Sequence, residues 1–157
     1  MYTTQKQTLT INGIKIRLTF PAGIEDRQVI KIAGHGTPGV NGGINGDLYI
    51  TYHIENNTKF MREGNALFAN IDLDLYKALL GGDILIETFE GKVKLKISPS
   101  TQSGTKVKLK GKGFPVYKGE NQFGDLIVNF QVKLPENLSE REKPLVNELK
   151  SIRNNEK

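Results

Sequence analysis

The chain has 157 residues, with 22 lysines and arginines against 17 aspartates and glutamates, and no cysteine. That length buries a core but lies near the usual size of one domain, so two domains within it must each be small. The missing cysteine excludes disulfides, thiolate nucleophiles and Cys-based zinc sites, no apolar run approaches the roughly twenty residues that span a bilayer, and a formal charge of +5 is only a mild positive field.

In chain order, Thr8-Leu9-Thr10-Ile11 reads as a strand, and Asn12-Gly13 as a hairpin turn into a second strand whose Ile14, Ile16, Leu18 and Phe20 share one face. Ile30 and Ile32, then Leu48, Ile50, Tyr52 and Ile54, repeat the period of two, and the Gly/Pro/Asn-rich stretch from Gly34 to Gly46 is a loop between them. A strand from Leu67 to Leu73 runs into a short apolar helix, Asp74 to Leu80, closed by Gly81-Gly82. Strands then fall on Ile84 to Ile86, on Val93, Leu95 and Ile97 after a turn at Glu90-Gly91, on Val107 and Leu109, and on Leu126, Val128, Phe130 and Val132.

Pro135 ends the last strand, and Ser139-Glu140-Arg141-Glu142 forms a capping box, the serine oxygen taking an orphan N–H while the glutamate reaches back. The helix that follows carries Leu145, Val146, Leu149 and Ile152 on one stripe. Pro144 either restarts this helix or kinks it. A helix so short is marginal alone in water, so the stripe must dock, on its own second domain or on a partner copy.

The chain contains an internal repeat. Gly34-His35-Gly36-Thr37-Pro38 recurs 77 residues on as Gly111-Lys112-Gly113-Phe114-Pro115, with Ile16-Arg17-Leu18 matching Val93-Lys94-Leu95 at the same offset. Gly46-Asp47-Leu48-Tyr49-Ile50 matches Gly124-Asp125-Leu126-Ile127-Val128 at 78, one residue having entered the loop. The pattern predicts an all-β protein of two tandem small β-sandwich domains, with a short helix in the second and a C-terminal amphipathic helix. The strand and helix that precede Ile84 have no counterpart before Thr8, so the chain is expected to be a fragment that begins inside a domain.

No chemistry is legible. His35 and His53 stand without a surrounding ligand set, so no metal or other cofactor is expected. The Gly-x-Gly segments lack the continuation of a phosphate loop, Asp47 and Asp125 at matching strand starts are explained by an Asx-type bond to the turn backbone, and no serine sits in a nucleophile elbow. No catalytic residue emerges and the chain is expected not to be an enzyme. Lys92, Lys94 and Lys96, then Lys106, Lys108, Lys110 and Lys112, form lysine faces with no interleaved aromatic to stack bases, so they read first as solvated sheet faces.

Taken together, Phe20-Pro21-Ala22-Gly23, Ile30-Lys31-Ile32-Ala33-Gly34-His35-Gly36, Asn41 to Tyr49, Phe60-Met61-Arg62-Glu63-Gly64, Ala78-Leu79-Leu80-Gly81-Gly82 and Gly111-Lys112-Gly113 resemble the C-terminal domains of DnaJ-type co-chaperones, in order from about Thr8 onward. The resemblance implies a first β-domain over 1–57 that holds unfolded client peptide in a shallow apolar groove, a second over 58–135, and a helix and tail over 136–157 through which two subunits pair. It places Leu9, Ile11, Leu18 and Ile50 on the groove and makes Lys6 the contact for the acidic tail of a DnaK-type ATP-driven chaperone. Leu145, Val146, Leu149 and Ile152 become the homodimer contacts. No His-Pro-Asp motif of a J domain and no Cys-x-x-Cys repeat of the zinc-finger class is present. The expected role is client binding and delivery in the cytoplasm, away from membranes. The alternatives are a DNA-associated basic protein of the same family and a structural dimerisation fragment without client binding.

Overall fold

The computed structural model describes residues 1–11 and 13–155. Among these residues ten strands and two helices follow in order: β1 (Gln5–Ile11), β2 (Ile14–Phe20), β3 (Val29–Ile32), β4 (Leu48–Thr51), β5 (Met61–Glu63), β6 (Ala66–Asp74), α1 (Leu75–Leu80), β7 (Gly82–Thr88), β8 (Gly91–Ile97), β9 (Lys106–Leu109), β10 (Leu126–Lys133) and α2 (Glu142–Asn155). The protein is all-β with a short internal helix and a C-terminal one. Each period-two segment of the sequence contains a strand, but Tyr52 and Ile54, read with Leu48 and Ile50, lie beyond the end of β4 at Thr51. Two elements escape that reading: the three-residue β5, and a 3₁₀ turn over Val40–Gly42 inside the expected loop. The hairpin turn expected at Asn12-Gly13 has Asn12 outside the described residues.

The sheets are β1-β2, β3-β4, β7-β8 and a four-stranded β5-β6-β10-β9. By packing, the chain divides into two compact units, Met1–Ala69 with Glu87–Lys92 and Lys106–Asn129, and Asn70–Ile86 with Val93–Thr105 and Phe130–Lys157. In the first unit Leu18, Phe20, Ile24 and Tyr52 form a buried cluster, Phe20 meeting Tyr52 edge to face at 5.5 Å. A second knot of rings there joins Tyr2, stacked on Phe89 at 4.5 Å, to Phe60 and Phe114. In the second unit Leu73, Ala78, Ile86, Ile97 and Phe130 are buried.

The caps explain where the helices begin. Asp74 accepts from the N–H groups of Tyr76 and Lys77 at 3.0 and 3.1 Å, taking orphan donors of α1's first turn. Gly81 closes α1 with φ of 78°, and a Cβ there would lie 2.8 Å from the Ile97 carbonyl. At α2 the capping box is complete: the Ser139 N–H donates to Glu142 Oε2 at 2.7 Å, and the Glu142 N–H donates to Ser139 Oγ at 3.3 Å. The Ser139 N–H, and after it the Ser139 hydroxyl, hold the Glu142 carboxyl below the usual glutamate range. Pro144 is the third residue of α2, where an N–H has no intrahelical partner to lose, so the helix runs through it to Asn155.

Candidate functional site

Among the described residues no three His, Asp or Glu side chains stand together as metal ligands, and attention falls on surfaces. The β1-β2 hairpin pairs Gln7 with Leu18, Leu9 with Ile16 and Ile11 with Ile14. Partners across an antiparallel pair share a face, so Leu9, Ile11, Ile14, Ile16 and Leu18 line one side and Lys6, Thr8, Thr10, Lys15 and Arg17 the other. The apolar side is graded. Leu18 is 7% exposed, Leu9, Ile11 and Ile16 are half-buried, and Ile14 at the turn is 60% exposed.

Leu9, Ile16, Ile30 and Ile50 pack against the cluster of Leu18, Phe20, Ile24 and Tyr52. The structure therefore brings Leu9, Leu18 and Ile50 together, with Leu18 in the floor and the other two part open. Ile11 continues the same face opposite Ile14. Lys6 does not join them: paired with Thr19, it is exposed on the polar side of the hairpin beside Lys15 and Arg17 in sequence register. Ile14 and Ile16, which the sequence pattern sets on one face with Leu18, belong to the open face although they are not among the expected groove residues. Their signal is the hairpin register, which a two-residue turn sets.

Beyond β1 no further strand is paired to it among the described residues. Residues 1–4 do not cover that edge; the Gly23 N–H donates to the Met1 carbonyl at 3.0 Å and the Ala22 N–H to Thr4 Oγ1 at 3.1 Å. An open strand edge beside half-buried aliphatic side chains can accept backbone hydrogen bonds and apolar side chains from an extended chain.

Elsewhere in the first unit lies a feature the sequence reading missed. A cavity of about 670 Å³ is lined by Tyr2, Phe60, Phe89, Phe114 and Arg62, with Glu25 and Asp26 among its polar residues. Arg62 lies 3.9 Å over the Phe114 ring and donates to the carbonyls of Gly23, Ile24 and Gly64 at 2.8, 2.6 and 2.7 Å. Burial draws the Arg62 guanidinium below its ordinary pKa, partly offset by Glu25. Its donors are spent on backbone, which is the work of a clamp.

Three of the lysine-face residues are ion-paired, Lys94 to Asp83 at 2.8 Å, Lys112 to Glu90 at 2.6 Å and Lys108 to Asp125 at 3.7 Å. On α2 the stripe is open: Leu145, Val146, Leu149 and Ile152 are 48 to 64% exposed.

Asp47 and Asp125 each bond to backbone of the glycine turn, at its far end. Asp47 Oδ1 accepts from the Gly34 N–H at 3.1 Å while Oδ2 meets Lys31 at 2.6 Å, and Asp125 Oδ1 accepts from the Gly111 N–H at 3.0 Å. The lysine and the glycine N–H hold the Asp47 carboxyl below the usual aspartate range.

Comparison with known proteins follows this geometry. The family model described as the DnaJ C terminal domain matches residues 2–135. A chaperone protein DnaJ of Geobacillus sp. strain WCH70 is 45% identical over 138 residues, 88% of this chain and 36% of that protein. Namesakes from Dictyoglomus thermophilum and Caldicellulosiruptor saccharolyticus are 41% identical over 139 residues and 39% over 142, covering 88% and 90% of this chain. The chain spans 36% of the length of each of these relatives.

Proposed function

Because this chain belongs to the family of DnaJ C terminal domains, we propose that it holds unfolded polypeptide segments on the apolar side of the β1-β2 hairpin and passes them to a DnaK-type ATP-driven chaperone, with no catalysis and no cofactor of its own. One observation carries the reading: the graded face from buried Leu18 through Leu9, Ile11 and Ile16 to exposed Ile14 lies beside a strand edge unpaired among the described residues. Such a face suits promiscuous, weak binding, since backbone bonds along the edge are sequence-independent and the aliphatic side chains ask only for apolar partners. Ile50 supports the face from β4.

In this reading residues 1–57 act as the client-holding domain, 58–135 as the second β-domain and 136–157 as the pairing segment. The exposed stripe Leu145, Val146, Leu149 and Ile152 would join two copies, and two linked client faces raise the effective concentration of sites. Lys6, on the polar side of the same strand, serves as the contact for an acidic tail of the partner chaperone. The compartment is the cytoplasm.

The test is suppression of aggregation of a chemically denatured model protein, followed by light scattering at two salt concentrations. Wild type suppresses scattering at both, and Leu9→Ser/Ile11→Ser loses most of that effect while keeping its circular dichroism. Unchanged suppression by the folded double variant would sink the assignment of the face. Suppression by neither protein, with tight salt-sensitive DNA binding, would favour a DNA-associated role instead.

A further inference from the structure

The cavity beside the aromatic knot lies wholly within the first unit and is not part of the client face. Its volume, about 670 Å³, falls inside the range of about 300–1,000 Å³ usual for ligand pockets. Phe60, Phe89, Leu67 and Ile54 give it apolar walls, whereas its polar side carries three exposed carboxylates, Glu25, Asp26 and Glu55. Asp26 Oδ1 accepts from the Ile54 N–H at 2.8 Å, which ties the Glu25-Asp26 step to the Ile54-Glu55 step and gathers the acids on one rim. That bond, ahead of Arg27 and His53, holds the Asp26 carboxyl below the usual aspartate range, so it is charged at neutral pH.

The opposing cations are poorly placed to neutralise this rim. Arg62 already donates from each of its three nitrogens to a backbone carbonyl, and burial draws both its guanidinium and the Met1 amino group below their ordinary pKa. Arg27 comes no nearer to Asp26 than 3.7 Å, with both side chains largely in solvent. In a chain of net charge +5, an apolar hollow rimmed by acids runs against the overall field.

We propose that this cavity receives the side chain of a lysine or arginine from a bound polypeptide, its methylenes against Phe89 and Ile54 and its charged head among Glu25, Asp26 and Glu55. The walls suit the apolar stem and the carboxylates suit the head. An acidic side chain meets the rim as a like charge, and a purely aliphatic one leaves it unused. The polypeptide source rests on the client reading, because Ile54 lines the cavity and also packs against the Leu18 cluster that floors the client face. Gln5, at the start of β1, lines the cavity too. It stands four residues, about 13 Å of strand, from Leu9. Segments with a basic residue about four positions from an apolar run are therefore favoured.

The test uses the full chain and two blocked peptides that share one apolar run. One carries lysine four positions from the run, the other norleucine, which has the stem without the ammonium. Fluorescence anisotropy should give the lysine peptide a Kd about fivefold lower, an advantage that shrinks as salt is raised. Glu25→Gln/Glu55→Gln, at two exposed positions where the fold is not at risk, removes the advantage and leaves the norleucine peptide unchanged. Nα-acetyl-lysine N-methylamide alone shifts the nitrogen-15 amide signals of Glu25, Glu55 and Phe89, and n-butylammonium shifts them less. Equal Kd values for the two peptides, or an advantage untouched by the double glutamine variant, overturn the proposal and leave the client face to its own aggregation assay. Stronger shifts with n-butylammonium assign the cavity to a free amine and overturn the polypeptide source. Failure of the client face registers separately, as Leu9→Ser/Ile11→Ser without effect on either peptide.

Discussion

The two copies of the repeat share a turn and differ in their cover. In both, a glycine with positive φ, Gly34 at 71° and Gly111 at 66°, is tied through its N–H to an aspartate at the start of the next strand. In both, the following glycine donates across the loop, Gly36 to the Gly46 carbonyl at 2.8 Å and Gly113 to the Gly124 carbonyl at 2.9 Å. The strands beyond the turn then part company. Leu126, Val128 and Phe130 are wholly buried in β10, which lies between β6 and β9, whereas Leu48 and Ile50 stay half-exposed in β4, whose one paired neighbour among the described residues is β3. Leu9 stands 77 residues before Ile86; Ile86 is 1% exposed and Leu9 half-buried. Leu18 runs the other way, more buried than Leu95. The same pattern thus makes a closed core in one copy and an open apolar face in the other; β10 is flanked by strands on both sides where β4 is not, whereas β7 and β1 each pair with one strand and differ in what packs over them.

That contrast is broken most severely in the second copy. Phe130→Ala removes a fully buried ring and is expected to cost about 3–5 kcal/mol of unfolding free energy in urea titration. Ile86→Ala should cost about 2–5 kcal/mol, and Leu9→Ala, which gives up a half-buried side chain, only about 1 kcal/mol. Equal costs for Ile86 and Leu9 would remove the distinction between the copies.

The shared turn predicts symmetry instead. A Cβ on Gly36 would lie 2.5 Å from the Asp47 carbonyl oxygen, and one on Gly113 would lie 2.4 Å from the Gly124 carbonyl carbon. Gly36→Ala and Gly113→Ala should each cost about 1–3 kcal/mol, and a large inequality between them would show that the turns are not equivalent. Smaller still, Ser139→Ala should cost about 1 kcal/mol of α2 stability, read by helicity near 222 nm.

Acid titration refines both features. The carboxyls of Asp47 and Glu142 sit below their ordinary values when folded, so the support they lend is full above the unfolded pKa and disappears as pH falls through the depressed one. Carbon-detected titration should find both midpoints below the ordinary carboxylate range, with protection of the Gly34 N–H lost in step with Asp47. Asp47→Asn removes that step at Gly34 and leaves the Gly111 N–H unchanged.

Much of the fold was legible because period-two alternation, glycine turns and a capping box are local signals. Val107 and Leu109, Leu126 to Val132 and the Ser139–Glu142 pair all lie where the pattern puts them. The 3₁₀ turn at Val40 and the short strand at Met61 carry no periodicity and were invisible to it. Asp47 was legible as a cap, yet its target, Gly34, is thirteen residues away and depends on how β3 and β4 pair. The site was legible in part: Leu9, Leu18 and Ile50 do come together and alternation puts Ile14 on the face of Leu18, but its place opposite Ile11 follows from the hairpin register, and Lys6 falls on the opposite side because strand alternation separates it from Leu9. Arg62 over Phe114 and the ring cluster around Tyr2 rest on long-range packing that no spacing announces.

The most direct test of the open-face account is a nitrogen-15 spectrum of the chain titrated with an unfolded, apolar-rich peptide. Shifts should gather on Leu9, Ile11, Ile14, Ile16 and Ile50 and leave Ile86, Val93 and Val128 in place; shifts centred on the second copy, or spread over neither, would contradict it.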